Sequence, residues 1–124
     1  MKKAMAESAR LREQLLPITS RRHTQLLRYD EIEYIFSRNH TLYFHMTNGE
    51  EKSCYGKLDD IAAQLKSDAF VRCHQSYIIN LAHLSEHTPG AFYVKDAMVP
   101  ISRAYASATQ AALNRYLFNI FDES

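Results

Sequence analysis

The sequence predicts a mostly β domain with one short inner helix and one C-terminal helix. Two observations carry that prediction. From Ile18 to Tyr55 the chain is rich in Thr, Tyr, Phe and Ile with polar interruptions, the composition of half-buried strands. Helical spacing of apolar residues is confined to three windows, two near the ends and one in the middle.

In chain order, residues 3–16 set Ala4, Ala6 or Leu11, Leu15 and Leu16 on one helical stripe that stops before Pro17, a helix breaker. Residues 1–17 therefore read as a helical linker, with 1–16 dispensable for folding. Strands are expected at Ile32–Phe36 and Leu42–Met46, joined by the polar run Ser37-Arg38-Asn39-His40. Asn48-Gly49, two residues that tolerate positive φ, predicts a hairpin between strands near Thr41–Thr47 and Glu50–Tyr55. "GKLDDIAAQLK" places Leu58, Ile61, Ala62 and Leu65 at i, i+3, i+4, i+7, a helix of about two turns. Strands resume at Phe70–Cys73, Tyr77–Leu84, Phe92–Val94 and Met98–Ile101, with turns at Thr88-Pro89-Gly90 and Lys95-Asp96. Ser102 can cap a last helix whose apolar face is Tyr105, Ala108, Ala112, Leu113, Tyr116 and Leu117.

A chain of 124 residues, 46% hydrophobic and 23% charged, fits one soluble domain with a modest core. No apolar run approaches the roughly 20 residues that span a bilayer, and the polar N-terminus is no signal peptide, so a cytoplasmic location away from membranes is expected. Cys54 and Cys73 should then be free thiols. Cys73, beside His74, is the more open to oxidation, unless it is an inert buried thiol. The formal net charge is +1, but residues 1–28 hold seven basic against two acidic side chains. That +5 front leaves −4 for the remainder, an asymmetry compatible with an anionic partner or with a merely solvated front.

Enzyme chemistry finds little support. In "RCHQSYIIN", Cys73 and His74 are neighbours on a predicted strand and so point to opposite faces, which separates nucleophile from base. His23, His40, His45, His74, His83 and His87 include no His-x₃-His pair on a helix; His83 and His87 could share one side of a strand. Glycine occurs only at 49, 56 and 90, so no glycine-rich phosphate cradle exists. No catalysis, metal or cofactor is expected. A polar surface remains: His40 in a loop between strands, Gln75 where two strands meet, Arg103 at a helix start. All three types can read base edges, and Arg38, Asn39, Arg72, Ser76 and Ser102 could hold phosphates. Equally, each alone reads as an ordinary surface residue.

"DEIEYIFSRNHTLYFHMTNGE", "GKLDDIAAQL", "FVRCHQSYIIN" and "VPISRAY" resemble, in order and spacing, the LytTR-type DNA-binding domain, over roughly residues 18–118. Residues 119–124 are then a C-terminal tail. The resemblance implies a compact stack of small antiparallel sheets that contacts DNA through loops. It implies base reading by His40, Gln75 and Arg103, with Arg38, Asn39, Arg72, Ser76 and Ser102 on the backbone. His74 is either a structural histidine or a further phosphate contact. Many relatives carry Arg or Asn where Gln75 stands, so the base preferred there shifts toward adenine. Tyr77, Ile78, Ile79 and Asn80 become core and turn residues. Expected partners are double-stranded DNA, at repeated half-sites and with a homodimer on DNA, and an upstream receiver domain or sensor kinase of a bacterial two-component system. The chain before Ile18 is too short to supply a receiver, which leaves an excised output domain or a stand-alone regulator. The competing reading is a protein-interaction module of the same β fold that docks or dimerises through the N-terminal helix.

Overall fold

The structure, a computed structural model, describes residues 14–122. Strands β1 (Leu15–Ser20) and β2 (His23–Arg28) pair as a hairpin. Strands β3 (Ile32–Arg38), β4 (Thr41–Met46), β5 (Glu51–Tyr55), β6 (Phe70–His74) and β7 (Tyr77–Asn80) form an antiparallel sheet in the order β5-β4-β3-β7-β6. Strands β8 (Glu86–Thr88), β9 (Ala91–Val94) and β10 (Ala97–Pro100) make a third sheet. Helix α1 (Leu58–Gln64) lies between β5 and β6, and α2 (Arg103–Asp122) ends the described chain.

The five-stranded sheet is apolar on both faces, which is why it needs two coverings. On one face Ile35, Leu42, Phe44, Cys54 and Ile78 join Leu16, Ile18 and Leu27 of the hairpin and Leu58 and Ile61 of α1. On the other, Val71, Cys73 and Ile79 join Phe92, Val94 and Val99 of the third sheet and Leu113 of α2. The result is three layers of secondary structure.

Several expectations need correction. Leu15, Leu16 and Pro17 are strand, not helix: Leu16 (0% exposed) and Ile18 (4%) point inward and alternate with an exposed Pro17, a period of two. Proline is tolerated because each strand of a two-stranded ribbon is an edge. A cut at residue 16 would therefore remove a core side chain; residues 1–13 of the expected linker helix lie outside the described residues. Helix α2 runs on through Asp122, so 119–122 are not a separate tail. Strand β8 went unforeseen because three residues give too short a period to register. His83 and His87 do not share a strand: His83 sits in a 3₁₀ turn with Nε2 2.7 Å from the Asp30 carbonyl, and His87, in β8, packs its ring on Phe92 of β9.

Turn chemistry is also redistributed. Asn48-Gly49 does form a hairpin, but only Gly49 has positive φ (88°), and Met46 closes the loop by bonding both Gly49 and Glu50 through the backbone. That is a type I turn ending in a left-handed glycine. Two-residue turns with both φ positive stand instead at Arg21 (49°) and Arg22 (65°), between β1 and β2, and at Asn39 (50°) and His40 (65°), between β3 and β4.

Two buried polar groups fasten the layers. Asn80 is 2% exposed; its Nδ2 donates to the carbonyls of Tyr29 (3.2 Å) and Ile32 (2.8 Å), and its Oδ1 accepts from Ala82 N–H (3.0 Å). Glu33 is the extra residue of a bulge between Ile32 and Tyr34. Its buried carboxylate lies 2.9 Å from Lys95 Nζ in the β9–β10 turn and 3.4 Å from His45 Nε2, joining the central and third sheets by charge.

Candidate functional site

Strand directions alone gather the candidate loops. β4 is antiparallel to both β3 and β5, and β7 is antiparallel to both β3 and β6, so β3, β5 and β6 all point the same way. Their C-terminal ends release three loops at one end of the sheet: Asn39-His40, Gly56-Lys57 and Gln75-Ser76. Backbone bonds tie them together. Ser37 N–H donates to Ser76 O (3.0 Å), Gly56 N–H to His40 O (3.0 Å), and Ser102 N–H, just before α2, to Cys73 O (3.0 Å).

Each loop has a local reason for its shape. The positive φ of Asn39 and His40 gives the mirror-image turn whose twist matches the flanking strands, and Asn and His are among the non-glycine residues best suited to it. At Gly56 (φ 154°) a Cβ would lie 3.2 Å from Leu42 Cδ1, so only glycine brings its N–H to the His40 carbonyl without disturbing a core side chain. Between Arg72 and His74 the β6–β7 register slips by one residue, and Cys73 is the residue left over. Its freed carbonyl is the one that receives Ser102 N–H.

His40 and Gln75, both exposed, line one shallow depression of about 630 Å³ together with Lys57, Asp59, Arg72 and the first turn of α2, represented by Ala104 and Tyr105. Arg103 opens that helix, exposed, immediately before Ala104. Arg38 and Asn39 are exposed on the same end as His40. The three suggested base readers thus come from three separate elements and arrive at one edge.

The other suggested contacts are less free. Arg72 donates Nε to His74 O (3.0 Å) and Nη2 to Gln75 O (2.6 Å), pairs through Nη1 with the Asp59 carboxylate, and lies over the Tyr105 ring at 5.5 Å. His74 accepts the Ser76 N–H at Nδ1 (3.0 Å) and stands edge-on to Tyr77, which places its proton on Nε2. The Ser102 hydroxyl is sealed from solvent and has no partner, so it neither caps α2 through its side chain nor reaches a ligand. Its carbonyl takes up the helix by accepting Tyr105 N–H. Two residues that sequence reasoning missed are Lys57, exposed at the start of α1, and Thr109, whose buried Oγ1 donates to Arg72 O (3.2 Å). Lys57 was legible in principle, because Gly56-Lys57 follows directly on a strand end.

The thiols are inert by burial. Cys73 is 0% exposed and Cys54 7%, both are free, and desolvation raises both thiol pKa values, Cys73 to about 12. The expectation that Cys73 is the more open to oxidation is therefore reversed. No group of three His, Cys, Asp or Glu side chains with metal-binding geometry occurs among the described residues, and no helix there is long and apolar enough to cross a membrane.

Comparison with known proteins gives the following. The family model of the LytTr DNA-binding domain matches residues 22–114. The transcriptional regulatory protein BtsR of Salmonella typhi and that of Salmonella typhimurium are each 25% identical over 104 residues, covering 79% of this chain and 42% of theirs. The chain thus spans less than half the length of these curated relatives. Among solved structures, a LytTr DNA-binding domain from Bacillus cereus superposes with a TM-score of 0.67 at 21% identity, over 81% of this chain and 96% of that one, a likeness of fold.

Proposed function

Because the chain belongs to the LytTr DNA-binding domain family, we propose that it binds double-stranded DNA sequence-specifically to regulate transcription, with His40, Gln75 and Arg103 reading base edges. The observation that supports this most is the convergence of the loops after β3 and β6 with the start of α2 at one end of the sheet. Arginine suits guanine O6 and N7, glutamine suits adenine N6 and N7, and histidine offers one donor or acceptor. His40 and Gln75 stand on loop tips and Arg103 on the first residue of α2, so a groove would be met by two loops and a helix end.

Phosphate contacts fall to side chains on the same edge with donors to spare: Arg38, Asn39, Lys57, the Ser76 hydroxyl and Nε2 of His74. Phosphate neutralisation by these groups makes binding salt-dependent. Since the BtsR proteins are named as transcriptional regulators and are more than twice as long as the shared segment, the chain serves as the output part of a bacterial response regulator, or as a regulator by itself. It then acts in the cytoplasm, on repeated half-sites as a homodimer, downstream of a receiver domain or sensor kinase.

Selection of bound sites from random duplex DNA, followed by a salt titration of the selected site, tests the reading. A defined preferred sequence and a steep fall of affinity with salt are expected. Absence of any preferred sequence overturns it. A protein-docking module is the second reading, favoured by exposed Leu117, Phe118 and Ile120 on the last turns of α2. Apolar docking there would be insensitive to salt, so the same titration separates the two.

A further inference from the structure

We propose that Arg72 is a positioning residue for base reading, one that fixes the Gln75 loop against α1 and α2 and neutralises no phosphate. This rests on the DNA-binding reading and sharpens it, since an arginine beside a base-reading residue is otherwise the obvious phosphate contact.

The geometry leaves Arg72 little to offer a ligand. Its side chain is only 19% exposed. All three guanidinium nitrogens are engaged inside the protein: Nε and Nη2 on the carbonyls of His74 and Gln75, Nη1 on Asp59. The Tyr105 ring lies beneath its plane. Its charge is already matched by Asp59, so the pair adds almost nothing to the release of counterions from DNA. The backbone is held as well, because Arg72 O accepts from Thr109 Oγ1 within α2.

These contacts reach three elements from one side chain. The two carbonyls belong to the end of β6 and the loop that follows it, Asp59 to the first turn of α1, Tyr105 to the first turn of α2. The planar fork of a guanidinium can hold two carbonyls and a carboxylate at fixed relative positions, whereas an ammonium is a point charge that cannot. Where the Gln75 carbonyl sits decides where its side chain leaves the backbone. The same anchor sets the distance from Gln75 to the helix that carries Arg103. Arg72 thereby keeps two base readers in register without touching a base.

Arg72→Lys retains the charge and removes the fork. With the wild-type fold verified by its thermal melt, affinities are measured for the selected site, for the same site changed at the base pair facing Gln75, and across a salt series. The expected result is a loss of about tenfold or more in discrimination at that base pair, with a salt slope equal to that of the wild type. In Arg72→Gln, which removes the charge as well, a slope shallower by about 0.9 with discrimination intact marks a phosphate contact and overturns the proposal. Discrimination equal to wild type overturns it as well.

A measurement on the unaltered protein covers the case in which Arg72→Lys does not fold. The Arg72 Nε–H resonance should exchange slowly with solvent in the free protein and stay in place when duplex is added. Fast exchange, or a large shift on adding DNA, overturns the proposal. Wild-type protein that binds no duplex at all would instead sink the DNA-binding reading, a different failure.

Discussion

Replacing Asn80 by alanine should be among the most costly single changes available in this domain, although Asn80 is remote from the reading edge. The side chain is 2% exposed and makes three hydrogen bonds, two donated to the Tyr29 and Ile32 carbonyls and one accepted from Ala82 N–H. Alanine fills none of these: the buried Ile32 carbonyl loses its donor, the Tyr29 carbonyl keeps the Ile32 N–H, and the Ala82 N–H, on an exposed residue, turns to water. An orphaned buried polar group costs about 1–3 kcal/mol and each hydrogen bond lost to a partner that stays satisfied costs less, so a total of about 2–3 kcal/mol is expected. Against a typical domain stability of roughly 5–15 kcal/mol, that lowers the melting temperature by about 10 °C. Urea denaturation followed by circular dichroism measures it, with an unchanged m-value showing that the native state is otherwise intact.

Asn80→Asp provides the control with a sign. The carboxylate keeps the acceptor for Ala82 N–H but turns negative charge toward two carbonyl oxygens. Those carbonyls and burial favour the protonated acid, so its folded pKa is raised above the unfolded value. Stability is then better below the unfolded carboxylate pKa and is lost as pH rises through the folded one. If Asn80→Ala costs under about 1 kcal/mol, or Asn80→Asp matches wild type at neutral pH, the assignment of Asn80 as the pin between β7 and the segment before β3 is wrong.

Arg103→Ala should weaken binding to the selected site by about 1–3 kcal/mol and relax preference at one base position; a gel-shift titration reads both, and wild-type behaviour removes Arg103 from the reading set. Gln75→Arg should tighten binding generally, steepen the salt dependence and move preference at the facing base pair from adenine toward guanine, which site selection with the variant will show or refute. In native protein at mildly alkaline pH, a thiol reagent should label Cys54 before Cys73, and guanidinium should make both react at once. Because the Cys73 pKa is raised, its contribution to stability is complete below the unfolded thiol pKa and is lost as pH rises toward about 12.

Strand existence was legible where composition and period agreed, as in β3 to β5, and the short helix α1 was legible from its i, i+3, i+4, i+7 spacing. The error at Leu15-Leu16 has a physical source. Two adjacent leucines next to a proline satisfy a helical stripe and a strand end equally well, and only pairing with Leu27 and Arg28 decides between them. The residues of the candidate edge could be named from sequence, but their commitments could not. That Arg72 is spent on two carbonyls and Asp59, and that the Ser102 hydroxyl is sealed, depends on contacts between segments distant in the chain. Lys57 was passed over for the converse reason: nothing in its neighbours says that Gly56 brings it beside His40.

The one-residue slip at Cys73 makes the placement of α2 a property of the main chain. A carbonyl with no partner in the ladder is what receives Ser102 N–H, so the helix takes its starting point from a missing rung, whatever side chain occupies position 73. Alanine or valine there should leave the helix where it is, whereas deleting one residue from β6 would remove the surplus and cast α2 adrift with Arg103 on it. Spacing thus governs this position more than residue identity does. A single-residue deletion between Arg72 and His74 should abolish recognition more completely than any substitution at the same place.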